Sequence, residues 1–234
     1  MPTLHPNAAA VVETAVREAL ADDQPIEIVG HGSRRAIGHA MATNAVLDLS
    51  ALLAIKSYEP QELLLTVEAG ARVDEVEALL AEKNQEFAFE PINTARLLGT
   101  PDRLGTIGGM IASGLAGPRR IKAGGARDHL LGFHGVSGFG ESFKAGGKVV
   151  KNVTGYDLCK LVTGSWGTLS VMTEVTIKVM PKAEAQQTLI LRALDPVTAV
   201  RAMSRALGSP FNVSGAAYMP VSLMSAEVSL GAFR

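Results

Sequence analysis

The sequence predicts an α+β protein in which a larger first domain is followed by the start of a second, α/β domain. Segments with helical spacing and segments that alternate between apolar and polar residues occur in mixed order along the 234 residues. The composition, 47% hydrophobic and 19% charged, is that of an ordinary globular protein with an ample core. Seventeen of the 24 glycines lie between residues 99 and 167, among aliphatic residues and without a fixed period. This distribution favours folded turns over a linker or a repeat.

The first domain begins with a helix and continues with strands and a second helix. Residues 7–21 carry apolar residues at helical spacing, with charged residues on the opposite side, and predict an amphipathic helix. Runs rich in aliphatic residues predict strands at 25–30, 45–50 and 63–70. Residues 71–84 again have helical spacing, with valines and leucines on one face, and predict a second helix.

Shorter elements flank the glycine-rich middle. Strands are predicted at 85–91 and 130–138, and a short helix ended by Gly164 is predicted at 156–165. Residues 167–181 alternate and are rich in β-branched side chains, which predicts a long strand closed by a proline.

After this strand the sequence predicts a strand, a helix and a second strand. A strand is predicted at 186–194 and another at 211–220. Between them, residues 195–208 predict a helix with Asp195 as its N-cap and Pro196 in its first turn.

These elements set the domain boundaries that we expect. Residues 1–183 form the first domain, and residues 184–234 begin a second domain with a β-α-β unit. Two strands and one helix would leave much apolar surface bare, so we expect this second domain to be incomplete.

Bulk properties argue against several function classes. A net charge of −1 gives no reason to bind nucleic acid, and no apolar run reaches the roughly 18 residues of a membrane helix, so we expect no direct membrane insertion. The N-terminus lacks the basic start and apolar core of a signal peptide, which predicts a cytoplasmic protein. Cys159 is the only cysteine, so these residues cannot build an internal disulfide or hold an iron–sulfur cluster. His129 and His134 are expected on opposite faces of one strand, and no metal site is predicted.

Three glycine-containing loops suit an anionic ligand. They are VGHGSRRAIG (29–38), GTIGGMIASGLAGPRR (105–120) and VKNVTGYDLCKLVTGSWGTL (150–169). Glycine lets a backbone approach a ligand closely, and successive amides can point at a phosphate. Between residues 119 and 160 eight basic residues stand against three acidic ones, a local excess of +5. The pattern favours a diphosphate ligand on which the three loops converge; glycine-rich turns with solvated lysines are the alternative.

Two commoner nucleotide-binding motifs do not fit the first loop. A Rossmann fingerprint needs a third glycine where Arg35 stands, and the chain from Gly38 to Asn44 is too short for a crossover helix. The P-loop needs Ser or Thr after its lysine, and AGGKVV has neither.

Four segments carry a resemblance to a known family: YEPQELLLTVEAGARVDEVEALLAEKNQEFAFEP, GTIGGMIASGLAGPRR, RDHLLGFHGVSGFGE and GGKVVKNVTGYDLCKLVTGSWGTL. They resemble the PCMH-type FAD-binding flavoproteins of the vanillyl-alcohol-oxidase family, and more narrowly the FAD-binding subunits of bacterial glycolate oxidase (glycolate dehydrogenase). The resemblance runs from about residue 25 to 181. Its most specific parts are Pro118–Arg120 and Lys151–Asp157.

The resemblance implies a PCMH-type FAD-binding domain made of two small α+β subdomains, with the dinucleotide between them, and a cap domain that begins near residue 184. The first loop would wrap the diphosphate, the second would reach the diphosphate and the ribityl chain, and the third would approach the flavin ring. The residues that it assigns to FAD are Gly30, His31, Gly32, Ser33, Arg34, Pro91, Thr106, Ile107, Gly108, Gly109, Ser113, Gly114, Gly155, Tyr156 and Met172.

The sequence departs from the family pattern at three places. The first loop reads Gly30-His31-Gly32, where the family usually has two adjacent glycines. Members with covalent flavin carry a histidine at the position of Gly32, so the resemblance implies noncovalent FAD. Ser170 replaces the last glycine of GTLG, and substrate residues of the family's cap cannot be carried over to this chain.

The resemblance implies a role in a complex that oxidises glycolate or another small 2-hydroxy acid. This chain would be the FAD-binding subunit, and electrons would pass through the flavin to an iron–sulfur subunit. A larger flavoprotein subunit is expected beside it, and these partners would place the chain peripherally at the inner membrane. Two alternatives stay open: a non-catalytic FAD-bearing or structural subunit, and a stand-alone FAD oxidoreductase of the same fold. No catalytic residue can be assigned from the sequence.

Overall fold

The structure, a computed structural model, describes residues 1–100, 105–147 and 155–220. Within these ranges the chain forms three β-sheets, which contain three, five and two strands. Helices cover the two larger sheets, and each of these sheets has its own hydrophobic cluster.

A three-stranded parallel sheet forms the first subdomain. Its strands are β1 (Thr3–Leu4), β2 (Ile26–Val29) and β3 (Ala45–Asp48), with β3 in the centre and parallel to both neighbours. Helix α1 (Ala9–Ala21) lies on this sheet and buries one apolar stripe. The buried cluster here comprises Val12, Ala15, Val16, Leu47, Leu49, Leu52, Val136 and Val171. The last two belong to the second subdomain, so this cluster also joins the two units.

The remaining elements follow in chain order. The strands are β4 (Ile55–Glu59), β5 (Leu64–Glu68), β6 (Gln85–Glu86), β7 (Leu130–Ser137), β8 (Ser142–Gly146), β9 (Ser170–Lys178) and β10 (Met180–Pro181). The helices are α2 (Val73–Ala81), α3 (Ala95–Leu98), α4 (Ile107–Ser113), α5 (Arg120–Ala123), α6 (Ala126–His129), α7 (Leu158–Val162) and α8 (Pro196–Leu207).

A five-stranded antiparallel sheet forms the second subdomain, in the order β4-β5-β9-β7-β8. The long strand β9 is central, as the β-branched run at 167–181 predicts, and its Val175 lies opposite Val67 on β5 and Phe133 on β7. All three side chains are almost fully buried. They belong to the larger hydrophobic cluster, which helices α2, α4 and α6 help to form.

The second glycine-rich loop contains a helix that the sequence pattern did not predict. Residues Ile107–Ser113 form α4, and Thr106 caps it by accepting a hydrogen bond from the Gly109 amide at 3.2 Å. A Cβ on Gly108 would lie 2.8 Å from the Ala69 Cβ and 3.0 Å from the Ala69 carbonyl oxygen. Gly108 therefore allows α4 to pack directly against the end of β5, and this tertiary contact outweighs the low helix propensity of glycine.

Most predicted elements of the first domain are confirmed. The helices at 7–21 and 71–84 correspond to α1 and α2, and the strand at 130–138 corresponds to β7. The strand predicted at 85–91 is limited to two residues, β6, which pair with β10.

The prediction for residues 184–220 is only partly correct. Helix α8 begins as expected, because Asp195 accepts hydrogen bonds from the amides of Val197 and Thr198. The strands predicted at 186–194 and 211–220 are wrong, since neither range contains a regular strand. A strand is stable only beside a pairing partner, and within the described ranges these residues have none.

None of the helices in the described ranges is both long enough and apolar enough to span a bilayer.

Cys159 should resist alkylation in the native protein. Its thiol is buried on α7, and desolvation, followed by the nearby charge of Asp157, raises its pKa to about 11. Thiolate is the reactive form, and at pH 8 it would make up roughly a thousandth of this thiol. We expect iodoacetamide at pH 8 to leave Cys159 unmodified until the protein is unfolded, as measured by mass spectrometry. Rapid native labelling would contradict a buried position.

Candidate functional site

The first two glycine-rich loops meet at the N-terminal end of α4. A Cβ on Gly30 would lie 2.6 Å from the Cγ2 atom of Thr106, so any side chain there would collide with the cap of α4. Gly105 has φ +89°, and a Cβ on it would lie 2.5 Å from the Ser33 Oγ atom. The loops are therefore in direct contact, and the two glycines make that approach possible.

The first loop presents backbone donors that no described neighbour uses. It turns at Gly32, with φ +66°, and the Gly32 carbonyl oxygen accepts a hydrogen bond from the Arg35 amide at 3.2 Å. The amides of Gly32, Ser33 and Arg34 donate to no acceptor in the described part of the chain. Consecutive free amides in a turn form a concavity that suits a phosphate oxygen.

The second loop, by contrast, has few free donors. The Ile107 amide donates to the Ala71 carbonyl oxygen at 2.9 Å, and the Gly108 amide donates to the Ala69 carbonyl oxygen at 2.7 Å. The Gly109 amide is used by the Thr106 cap. The second loop therefore shapes the junction and supports the first loop, and these three amides are not available to a ligand.

Arg34 places at the junction a positive charge that no carboxylate of the described residues neutralises. One terminal nitrogen of its guanidinium group donates to the Ile92 carbonyl oxygen at 3.0 Å. Its Nε atom is shielded from solvent and has no hydrogen-bond partner, and burial lowers the pKa of the guanidinium. Arg34 forms no ion pair with any carboxylate of the described residues. Such a partly buried cation is costly unless an anion accompanies it.

Two other arginines of these loops already have acidic partners. The neighbouring Arg35 donates through Nε to Glu27 Oε1 at 2.8 Å, and this hydrogen bond raises the pKa of Arg35. Arg119, one of the two arginines at the end of the second loop, donates to Glu86 at 2.6 Å. Arg119 is therefore held by a carboxylate, and Arg34 is the better candidate for a ligand phosphate.

The third loop contacts the other end of α4. The Gly164 amide donates to the Ile111 carbonyl oxygen at 3.3 Å, and the Trp166 amide donates to the Ala112 carbonyl oxygen at 2.9 Å. Gly114 ends α4 with φ +62°, and a Cβ on it would lie 3.2 Å from the Gly164 Cα atom. A seven-residue helix is about 10 Å long, so this contact is separated from the Thr106 cap by about that distance. An elongated ligand could touch both ends, whereas a diphosphate alone could not.

Two residues assigned to the flavin ring are exposed. Gly155 has open space where a Cβ would stand, and the Tyr156 side chain is 92% exposed. Neither residue is part of the junction between the first two loops. Lys148 and Lys151–Thr154, which the sequence places in the basic segment and the KNVTGYD run, lie outside the described residues.

The remaining assigned residues are buried or line the edge of the junction. The side chains of Ile107 and Met172 are in the core, and Ser113 donates its hydroxyl to the Met110 carbonyl oxygen at 3.1 Å. Any contact of Ile107 or Met172 with a ligand would therefore involve the backbone. His31 and Pro91 are half-buried, and Pro91 precedes the residue that accepts a hydrogen bond from Arg34.

Sequence reasoning missed the contribution of Ile92. Its carbonyl oxygen fixes the Arg34 guanidinium, although the two residues are 58 positions apart in the chain. No residue type or spacing could have predicted this contact, because an ordinary backbone carbonyl makes it.

The junction fits the diphosphate of FAD. Free amides of one turn and an uncompensated guanidinium lie together, and both favour an anion of more than one charge. The position at the end of the parallel strand β2, between two subdomains, is also where dinucleotides commonly bind.

Comparison with protein families gives the same answer as the geometry. The family model described as "FAD binding domain" matches residues 3–146. This range includes the first two loops and Arg34.

Several proteins are similar to the chain in sequence. Glycolate oxidase subunit GlcE of Escherichia coli is 36% identical over 203 residues, which cover 87% of this chain and 55% of that protein. Glycolate oxidase subunit GlcD of Bacillus subtilis is 42% identical over 88 residues, covering 38% of this chain and 19% of that protein. D-lactate dehydrogenase of Anaerostipes hadrus is 29% identical over 193 residues, covering 81% and 39%. The chain thus spans about half the length of GlcE and less of the others.

Solved structures of alkyldihydroxyacetonephosphate synthase share the fold. One has a TM-score of 0.63 at 21% identity, over 78% of this chain and 32% of that protein. The α+β fold predicted from the sequence is therefore confirmed.

Proposed function

Since this chain belongs to the FAD-binding domain family, we propose that it is the FAD-binding subunit of a complex that oxidises glycolate or a related 2-hydroxy acid. The similarity to glycolate oxidase subunits and to D-lactate dehydrogenase supports this substrate class. The observation that carries the proposal is the junction itself. Among the described residues, three amides there have no acceptor and the Arg34 guanidinium has no carboxylate partner.

The residues of the chain bind and orient the cofactor. The amides of Gly32, Ser33 and Arg34 donate to diphosphate oxygens, and the Arg34 charge neutralises part of the diphosphate charge. Gly30 and Gly105 keep the two loops close enough for this arrangement. Bound FAD supplies the redox chemistry, which no side chain of this chain could perform. No covalent link is expected, because family members with covalent flavin carry a histidine at the position of Gly32.

The proposed partners follow from the resemblance to glycolate oxidase subunits. An iron–sulfur subunit would receive the electrons, since the single cysteine of these 234 residues cannot hold such a cluster. A larger flavoprotein subunit would complete the complex, as the naming of GlcE and GlcD as subunits suggests. We place the assembly in the cytoplasm, held peripherally at the inner membrane by its partners.

Reconstitution with FAD tests the proposal directly. We expect the purified chain to retain FAD through gel filtration and to release it unmodified on denaturation, as measured by absorption and mass spectrometry. Anaerobic glycolate should then bleach the visible flavin absorption, with acetate, a carboxylate that lacks an oxidisable hydroxyl, as the control.

The outcomes separate the candidate functions. Bleaching by glycolate without partners would support a catalytic subunit. Retained FAD without bleaching would favour the non-catalytic FAD-bearing subunit. A folded chain, judged by circular dichroism, that binds no FAD at all would refute every version of the proposal.

A further inference from the structure

Three exposed cations of the basic segment take no part in the junction of the first two loops. They are Arg120 and Lys122 on α5 and Arg127 on α6. Within the described ranges none of the three forms an ion pair or a side-chain hydrogen bond, whereas their neighbour Arg119 is held by Glu86. The diphosphate site therefore leaves these three positive charges without a role.

The cations lie on consecutive turns with no acidic side chain among them. The ten residues 118–127 contain no aspartate or glutamate. The Arg120 Nε atom lies 3.7 Å from the position of a Cβ on Gly125, so this side chain extends over the turn that leads into α6. Asp128, the next residue after this stretch, accepts a hydrogen bond from the Gly125 amide at 2.8 Å and caps α6. The exposed face of α5 and α6 is therefore positively charged.

Two exposed side chains with large apolar surfaces lie beside the cations. Ile121, which stands between two of the cations, is 75% exposed, and Tyr156 is 92% exposed. Helix α6 packs against α7, which Asp157 caps. Against the effect of desolvation, the pKa of Asp157 is lowered by its hydrogen bonds with Lys160 and also by the charge of Arg127. Arg127 therefore lies near Asp157 and the adjacent Tyr156.

This composition fits a protein partner better than a lipid surface. Arginine and tyrosine are enriched at protein interfaces, and charges at the rim of an interface steer an oppositely charged partner into place. Recognition of anionic lipids, by contrast, typically uses clusters of roughly four to eight basic residues. The three cations described here are fewer than such a cluster needs.

Resting on the proposed function, we propose that this basic surface receives an acidic face of the subunit that accepts electrons from the flavin. The basic surface comprises Arg120, Ile121, Lys122, Arg127 and Tyr156. In the proposed function the third loop, which carries Tyr156, lies at the flavin end of the bound dinucleotide, where an electron acceptor has to approach. The cations attract and orient the acidic partner, and the two large side chains supply apolar contact area.

Charge removal tests the docking in the FAD-reconstituted chain. The variant Arg120→Gln/Lys122→Gln/Arg127→Gln removes the charges, and cytochrome b5, an acidic haem protein, serves as the acceptor. The photochemically reduced flavin gives one electron to each of two ferric haems, and its protons pass to the solvent. At low ionic strength we expect the second-order rate of haem reduction to fall about tenfold, the lower end of electrostatic steering. Added salt should slow the wild type more than the variant, as measured by stopped-flow absorption.

Lys83→Gln/Lys182→Gln/Arg192→Gln is the matched control. It removes the same charge from three exposed side chains that form no ion pair with any described residue. This control should reduce cytochrome b5 at the wild-type rate. With cytochrome c, a basic haem protein, the variant of the basic surface should react at least as fast as the wild type, because a repulsion is removed.

Chemical cross-linking gives a readout that needs no flavin. A carbodiimide joins a lysine amine to a carboxylate where two proteins touch. We expect mass spectrometry to find Lys122 joined to carboxylates of cytochrome b5, in the apo chain as well as in the reconstituted one. Lys83 should remain free of such cross-links.

Several results would overturn the inference. Equal rates of the two triple variants, or no cross-link at Lys122, would show that the basic surface does not receive an acidic protein. Binding of the wild type, but not of the basic-surface variant, to phosphatidylglycerol vesicles at physiological salt would assign the surface to a membrane instead. A folded chain that retains no FAD but still cross-links through Lys122 would refute the proposed function and support the docking surface.

Discussion

Arg34→Gln is expected to weaken FAD binding by about a hundredfold without destabilising the apo protein. The substitution removes a partly buried charge, and burial already lowers the pKa of the Arg34 guanidinium. The apo protein therefore no longer bears the free-energy cost of burying this charge. In the bound state the substitution removes the charge that the proposal places beside the diphosphate. Contacts of this type contribute about 1.5–3 kcal/mol each, which corresponds to roughly a hundredfold for one strong contact or two modest ones. Fluorescence titration with FAD and thermal melting of the apo protein measure the two effects.

Arg35→Gln provides the control within the same loop. Arg35 is already paired with Glu27, a carboxylate that is only 8% exposed. Its loss should lower apo stability modestly, because Glu27 is left without its partner, and should change FAD affinity little. The salt dependence adds a second test: raising ionic strength should weaken FAD binding less in Arg34→Gln than in the wild type. Equal losses of affinity in the two variants would show that only general positive charge matters, and the assignment of Arg34 would be wrong.

The regular parts of the fold could be predicted because their signals are local. Helices α1 and α2 have apolar residues at helical spacing, and β9 has a long β-branched run that is buried on both sides. These patterns depend only on neighbours within a few positions. They identify an element before any tertiary contact is known.

Helix α4 could not be predicted because tertiary contacts, and not local sequence preferences, stabilise it. Gly108 and Gly109 lower helix propensity, so the sequence favours an irregular loop. The helix forms because Gly108 packs against Ala69, about 40 positions earlier in the chain, and because Thr106 caps it. The glycines that suggested a bare, ligand-facing backbone are thus partly explained by packing.

The sequence could predict which residues belong to the candidate site, but it could not predict which contacts they make. The glycine loop pointed to Gly32, Ser33 and Arg34, but which of the basic residues remain unpaired depends on distant carboxylates. Arg119 is paired with Glu86, 33 positions away, whereas among the described residues Arg34 donates to the carbonyl oxygen of Ile92 and to no carboxylate. Charge counting along the sequence could not separate these two arginines.

The fold should be most sensitive to a residue outside the candidate site, Gly70. Gly70 follows β5 of the second subdomain and contacts the short 3-10 turn that follows β3 of the first subdomain. The two subdomains are therefore in direct contact at this residue. A Cβ on Gly70 would lie 2.7 Å from the Leu52 carbonyl oxygen and would overlap the Leu49 carbonyl oxygen even more. Both neighbours are backbone atoms, which cannot rotate away as a flexible side chain would. Gly70→Ala must therefore separate the subdomains or distort one of them.

We expect Gly70→Ala to lower the free energy of unfolding by about 3 kcal/mol, the upper end of the usual cost of overpacking, because both neighbours are backbone atoms. Urea denaturation followed by circular dichroism measures this loss. Gly138→Ala is the matched control, because a Cβ there meets no atom within 4 Å and its backbone is not left-handed. The free energy of unfolding of Gly138→Ala should differ from that of the wild type by less than about 1 kcal/mol, in the stabilising direction if at all.

Gly70→Ala should also lose FAD, because Gly70 follows the strand that supports α4. Arg34→Gln, by contrast, should lose FAD and keep its fold. If Gly70→Ala is as stable as Gly138→Ala, the two subdomains do not meet as tightly as the carbonyl contacts require.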